Sequence, residues 1–135
     1  MRIRSRIIVL KTIFILLYFR VLLQVRGIKA LRKSWFHHSH TVEATPEFAR
    51  QIRERIRISA RFVPGAMCLP QALAANYFLR RRGFESIVRI GVKRTDEGAV
   101  SAHAWVISGS TVVVGGDDNT VTQFSHLVDA EVIVD

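Results

Sequence analysis

Phe62-Val63-Pro64-Gly65-Ala66-Met67-Cys68-Leu69-Pro70, with Ala102-His103-Ala104-Trp105 following about 35 residues after the cysteine, decides how this chain is read. Pro64-Gly65 is a loop signal, and Pro70 is tolerated only in a first helical turn, so a helix starts at about Cys68. Unpaired N–H groups and the macrodipole at a helix start stabilise a thiolate, the reactive form of cysteine. Cys68 is the single cysteine, and a lone cysteine with a histidine on a separate element is a candidate nucleophile and base. The competing reading of Cys68 is a small buried hydrophobe.

The spacing downstream predicts a helix from about Cys68 to Arg82, with Leu69, Ala72, Leu73 and Tyr77 as its buried stripe and Gly83 as a left-handed C-cap. Arg80-Arg81-Arg82 falls in the last turn, where cations suit the helix dipole. Three strands are predicted next: Ile87 to Lys93, Ser101 to Ile107 and Thr111 to Val114, separated by turn signals at Thr95-Asp96-Glu97-Gly98 and Gly109-Ser110. The stretch from Gln123 to Asp135 reads as a short helix and a closing strand over Glu131 to Val134.

His103 lies mid-strand, where Ala102 and Ala104 leave room around its ring and Trp105 shares its face. A histidine so placed accepts the thiol proton and later protonates the leaving amine, while an acid holds the imidazole in the required tautomer. Asp117 and Asp118 follow Val112-Val113-Val114-Gly115-Gly116, the stretch that a hairpin returns alongside His103. Chain reach from that strand end favours Asp117, with Asp118, or two turn-decorating carboxylates beside Asn119, as the alternatives. The backbone N–H of Cys68 is a candidate oxyanion donor. His126 receives no role.

The first half of the chain differs in character. Residues 1–61 carry 14 Lys/Arg against 3 Asp/Glu, a net of +11, whereas residues 62–135 net −2. A cationic half can attract nucleic acid, an anionic membrane or an acidic partner. The Cys/His half is close to neutral, which argues against a nucleic-acid enzyme. One cysteine excludes an intrachain disulfide and fits a reducing, cytoplasmic compartment. His37, His38 and His40 are too close together to make a zinc site alone.

Ile7 to Val25 is strongly apolar but interrupted by Lys11 and Arg20, which disfavours a membrane span; Gln24-Val25-Arg26-Gly27 is a poor signal-cleavage site. The segment reads as a helix packing on the domain or a partner, or lying on a membrane surface. Residues 27–44 read as a linker. Thr45-Pro46-Glu47 opens another helix as N-cap, first position and first-turn acid, with Phe48, Ile52, Ile56 and Ser59 on one stripe and Arg50, Arg53, Arg55 and Arg57 on the other faces. The domain reading is a basic apolar helix and linker over 1–44 and a catalytic domain over 45–135.

The order cysteine at a helix start, histidine on a strand, acid after the next strand is that of papain-like and transglutaminase-like enzymes. More specifically, Pro64-Gly65-Ala66-Met67-Cys68-Leu69-Pro70-Gln71-Ala72-Leu73-Ala74, Leu79-Arg80-Arg81-Arg82-Gly83, Ile90-Gly91-Val92-Lys93, Ala102-His103-Ala104-Trp105-Val106 and Val113-Val114-Gly115-Gly116 resemble, in order and spacing, the stand-alone leader peptidase (the B protein) of lasso-peptide biosynthesis. The resemblance covers residues 62–118. It implies a transglutaminase-like cysteine peptidase with a Cys-His-Asp triad, carried over to Cys68 and His103. The acid of that family commonly stands at about the register of Gly115 or Gly116, so it is carried over to Asp117 by a slight shift.

The implied fold is α+β and papain/transglutaminase-like, with N-terminal helices packed on a small antiparallel sheet. The implied partners are the precursor's leader peptide, a separate leader-recognition protein and an ATP-dependent cyclase that closes the macrolactam. The N-terminal part reads as helix, linker, helix, without room for a fused recognition domain. No Gly-rich phosphate loop is present, and no cofactor, metal or nucleic acid is expected. A transglutaminase-like acyltransferase or amidase, and a non-catalytic basic helical adaptor, are the alternative functions. Peripheral membrane contact through the N-terminal helix completes the set of expectations.

Overall fold

A computed structural model of the chain describes residues 3–33, 42–116, 121 and 124–132. Three helices form one layer: α1 (Ile3–Arg26), α2 (Pro46–Ala60) and α3 (Cys68–Arg81). The other layer is an antiparallel sheet of β1 (Leu31–Lys33), β2 (Ile87–Arg94), β3 (Val100–Ser108), β4 (Thr111–Val114) and β5 (Ser125–Val132), in the order β1-β5-β2-β3-β4. This is the expected α+β arrangement, with α3 laid on β3 and its neighbours β2 and β4, and α1 packed on α2 and α3.

The predicted start of α2 forms as its residues dictate. Thr45 is extended and its side chain accepts from the Phe48 N–H at 3.2 Å, with Pro46 in the first position. Phe48, Ile52, Ile56 and Ser59 are all buried, and burying a large aliphatic side chain contributes roughly 1.5–3 kcal/mol. Ser59 is satisfied by donating to the Val9 carbonyl of α1 at 3.4 Å. Thr45→Ala removes one capping acceptor and is expected to lower stability by about 1 kcal/mol, read as a small drop in thermal midpoint without change in circular dichroism.

The arginines of α2 divide their work. Arg53 donates from Nε to the Val113 carbonyl at 3.0 Å and from a terminal nitrogen to Val112 at 3.1 Å. Among the described residues β4 is an edge strand, and no further strand pairs with it beyond β3. Arg57 pairs with Glu54 at 2.7 Å on the solvent side, and that guanidinium holds the Glu54 carboxyl below its ordinary range.

α3 begins at Cys68 and ends against Gly83, whose φ of +79° makes the left-handed turn that glycine adopts without strain. Its buried face is wider than the predicted stripe. Leu69 and Tyr77 are only half-buried, while Pro70, Ala74, Ala75, Phe78 and Leu79 are buried with Ala72 and Leu73. A helix covered on one side by the sheet and on the other by α1 and α2 has little free surface, so one amphipathic stripe understates its burial.

Two readings need correction. Gly27–Lys33, read as linker, is a 3₁₀ turn over Gly27–Ala30 followed by β1, which pairs with β5 in the register Leu31 to Val132. The closing strand begins at Ser125, six residues ahead of the expected Glu131, so sheet occupies part of the stretch expected to be helical; Ile133 and Val134 lie outside the described residues. β5 was disguised by polarity: Asp129 is buried in mid-strand and neutralised by Arg89 of β2, Nε to Oδ1 at 3.0 Å. His37, His38 and His40 lie outside the described residues.

α1 is one helix through both of its internal charges. Thr12, Leu16 and Phe19 are buried against α2 and α3, so it contributes to the same core. Arg20 is tolerated in the apolar run because its Nε donates to the Pro64 carbonyl and a terminal nitrogen donates to Gln24 Oε1 at 2.6 Å. By length and composition Ser5–Arg26 could cross a membrane, although one flank is already occupied by protein.

Candidate active site

The loop into α3 is built to present Cys68 at a helix start. The Ala66 N–H donates to Val63 O at 3.1 Å and the Met67 N–H to Gly65 O at 2.9 Å, a compact turn around Pro64-Gly65. Gly65 has a φ of +80° and lies against the Arg20 guanidinium, so α1 pins this turn four residues ahead of the cysteine. Met67, the N-cap, is extended and offers no side-chain cap. The first-turn N–H groups of α3 therefore receive no acceptor from that side chain, as an anion-stabilising helix start requires. Gln71 steadies the turn from within, Nε2 donating to Ala66 O at 2.7 Å. Cys68 is half-buried, packs on the edge of the core, and its Sγ makes no hydrogen bond among the described residues.

His103 sits on β3, opposite Gly91 of β2, where the missing side chain leaves space on the neighbouring strand. Ala104 and Val106, which alternate with it, join the shared core. The imidazole stacks on Trp105, with centroids 5.9 Å apart and planes 24° apart, and on Phe124 at 5.1 Å and 29°. Lys93 lies over the same Phe124 ring at 4.9 Å. The expected sharing of a face by His103 and Trp105 is thus present; Phe124 was not anticipated.

The Nε2 atom of His103 is paired with the Gly115 carbonyl. A carbonyl oxygen only accepts, so Nε2 carries a proton, and in the neutral imidazole Nδ1 is then the nitrogen with the lone pair. Nδ1 has no hydrogen-bond partner among the described residues. Gly115 is suited to this position: its φ is +104°, and a Cβ there would stand 2.5 Å from Trp105 Cβ, 2.7 Å from Trp105 Cα and 2.8 Å from Ala104 O. A side chain at 115 would thus push the carbonyl away from the imidazole. The signal in the sequence was Gly115-Gly116 directly after a strand, a usual mark of close backbone approach.

The helix that starts with Cys68 and the strand that carries His103 pack against each other, but among the described residues no hydrogen bond joins thiol to imidazole. Asp117 and Asp118 lie outside the described residues. His126 belongs to β5, at the register position opposite Gly91, and so shares a backbone row with His103. Among the described residues no three or more His, Cys, Asp or Glu side chains cluster as a metal site would.

No curated protein and no solved structure matches the chain. The model of the transglutaminase-like superfamily matches residues 13–129, from the middle of α1 into β5. Members of that superfamily are usually cysteine enzymes, and the match covers Cys68, His103, the second half of α1, all of α2 and α3, β1 to β4 and the start of β5. The chain belongs to the transglutaminase-like superfamily.

Proposed function

We propose that this chain is a cysteine peptidase that removes the leader from a lasso-peptide precursor, with Cys68 as nucleophile, His103 as base and acid, and Asp117 as the third member. The observation that carries the chemistry is the His103–Gly115 pairing, which leaves Nδ1 as the basic nitrogen of the imidazole. The lasso assignment rests on the ordered motifs between residues 62 and 118, which resemble that peptidase.

In this mechanism His103 Nδ1 takes the Cys68 thiol proton as sulfur attacks the carbonyl carbon at the leader–core junction. The tetrahedral oxyanion is met by main-chain N–H groups at the start of α3, that of Cys68 among them. The imidazolium returns its proton to the departing core amine, leaving the leader as a thioester on Sγ. Water, deprotonated by the same nitrogen, then releases the leader as a carboxylic acid and restores the thiol. The Gly115 carbonyl fixes the tautomer throughout. The Asp117 carboxylate, two residues further along, stabilises the positive imidazolium, a task that a neutral carbonyl performs less well.

A separate recognition protein delivers the leader, and the freed amine passes to an ATP-dependent cyclase that closes the macrolactam, in the cytoplasm. The superfamily match is equally compatible with an acyltransferase or amidase, in which an amine replaces water at the thioester. Mass spectrometry of a candidate precursor incubated with this chain and a recognition partner separates the readings. A freed leader supports the peptidase, an amine-dependent mass gain the acyltransferase, and an unchanged precursor under all partner combinations a non-catalytic adaptor. Asp117→Asn is expected to lower kcat on the order of a hundredfold or more, and Asp118→Asn, which has no part in this mechanism, by less than about threefold. The reverse order would move the acid by one residue.

A further inference from the structure

We infer that the outer face of α1 is a docking surface for an anionic phospholipid membrane, on which the helix lies in the plane of the interface. This inference does not depend on the peptidase reading.

The first observation is a continuous apolar stripe turned away from the protein. Ile7, Leu10, Phe14, Leu17 and Val21 recur at spacings of three and four, and with Tyr18 and Val25 all are exposed. Phe14 is 62 % and Val25 77 % accessible, whereas Thr12 and Leu16 on the opposite flank are fully buried. From residue 7 to residue 25 the stripe is about 27 Å long. A scattered exposed leucine needs no explanation, but an unbroken stripe of this length does.

The second observation is a cationic pocket at the stripe's flank. It has a volume of about 340 Å³ and is lined by Lys11 and Ile8 of α1, Arg55 of α2, Arg81 and Arg82 at the end of α3, and two phenylalanines. Lys11 is four residues from Ile7 and three from Phe14, so the pocket opens along the stripe's margin. Among the described residues no carboxylate lines it. Arg82 lies over the Phe48 ring at 5.2 Å, and Arg81 donates to Tyr77 Oη at 3.2 Å, so each guanidinium keeps further donors to offer. Burial, and then repulsion from Arg82, hold Arg55 below its ordinary value. A phosphate group in the pocket would relieve that crowding, and the acyl region would meet the stripe.

Charge decides between occupants. A second copy placed stripe to stripe would bring together two helices that carry no acidic residue and are flanked by Arg6, Lys11 and Arg26, which is repulsive. An anionic bilayer surface complements the same cations at roughly 1 kcal/mol each. A transmembrane orientation would strip Thr12, Leu16 and Phe19 from the core, so the helix lies flat with its outer face in the headgroup boundary.

The test is flotation of the full chain with vesicles of phosphatidylcholine alone and of phosphatidylcholine mixed with phosphatidylglycerol, at low and raised salt. The expected result is flotation with the phosphatidylglycerol vesicles, reversed by salt and by carbonate extraction. Lys11→Gln with Arg81→Gln is expected to lower that partition about thirtyfold, and Phe14→Asp with Val21→Asp about a hundredfold or more. All four side chains are outside the core, and an unchanged melting curve verifies the fold. Equal binding to both vesicles, no binding to either, or resistance to carbonate extraction would overturn the inference. So would a dimer that Phe14→Asp dissociates, since a second copy would then cover the stripe.

Discussion

Cys68→Ala is expected to abolish leader removal, with kcat/KM reduced on the order of 10³-fold or more, and His103→Ala is expected to do the same. The two losses should not add, because in the proposed mechanism thiol and imidazole act as one unit: once the proton acceptor is gone the sulfur is a poor nucleophile, and without the sulfur the acceptor has nothing to activate. Neither change threatens the fold. Cys68 is half-buried at the edge of the core and its sulfur is not hydrogen-bonded among the described residues. His103 is half-buried in the middle of β3 and stacks on the Trp105 and Phe124 rings. Unchanged melting curves with lost cleavage would separate chemistry from folding; a Cys68→Ala variant that fails to fold would restore the buried-hydrophobe reading of this residue.

Gly115→Ala is the second large effect, and it strikes stability and activity together. The residue occupies φ of +104°, a region other residues enter at about 1–3 kcal/mol. The added methyl would also overlap Trp105 Cα and the Ala104 carbonyl, which are main-chain atoms in a paired strand and cannot swing aside. Overpacking of that kind costs roughly another 1–3 kcal/mol. Together the two imply a fall in melting temperature of roughly 10 °C. In the variant that still folds, the carbonyl moves from His103 Nε2, so kcat should fall further than KM rises. Gly116→Ala is the control: it shares the positive φ but not the His103 contact, and a similar loss of kcat there would detach the imidazole from the Gly115 carbonyl.

What the sequence disclosed and what it hid have physical causes. α2 was legible because a Thr-Pro-Glu start and a four-four-three stripe are local features, and β2, β3 and β4 because turn residues bracket them. β5 was hidden because Asp129 looks solvent-exposed until Arg89, forty residues earlier, is known to neutralise it. β1 was hidden because three residues carry no period. Arg20 argued against a membrane span, yet its reason is the Pro64 carbonyl in a remote loop. In the candidate site, the helix start at Cys68 and the mid-strand position of His103 were legible from residue type and local context. The partner of the imidazole was not, because a main-chain carbonyl has no residue type to read; only the paired glycines hinted at it.

The central claim is that Cys68 carries the leader as a thioester during turnover. Rapid quenching of this chain with precursor and recognition partner, followed by intact-mass analysis and peptide mapping, measures it directly. The account predicts a transient species heavier by the leader acyl group, located on Cys68, absent in Cys68→Ala and not formed in His103→Ala. Leader release by Cys68→Ala at the wild-type rate, or an acyl group on any other side chain, would contradict it.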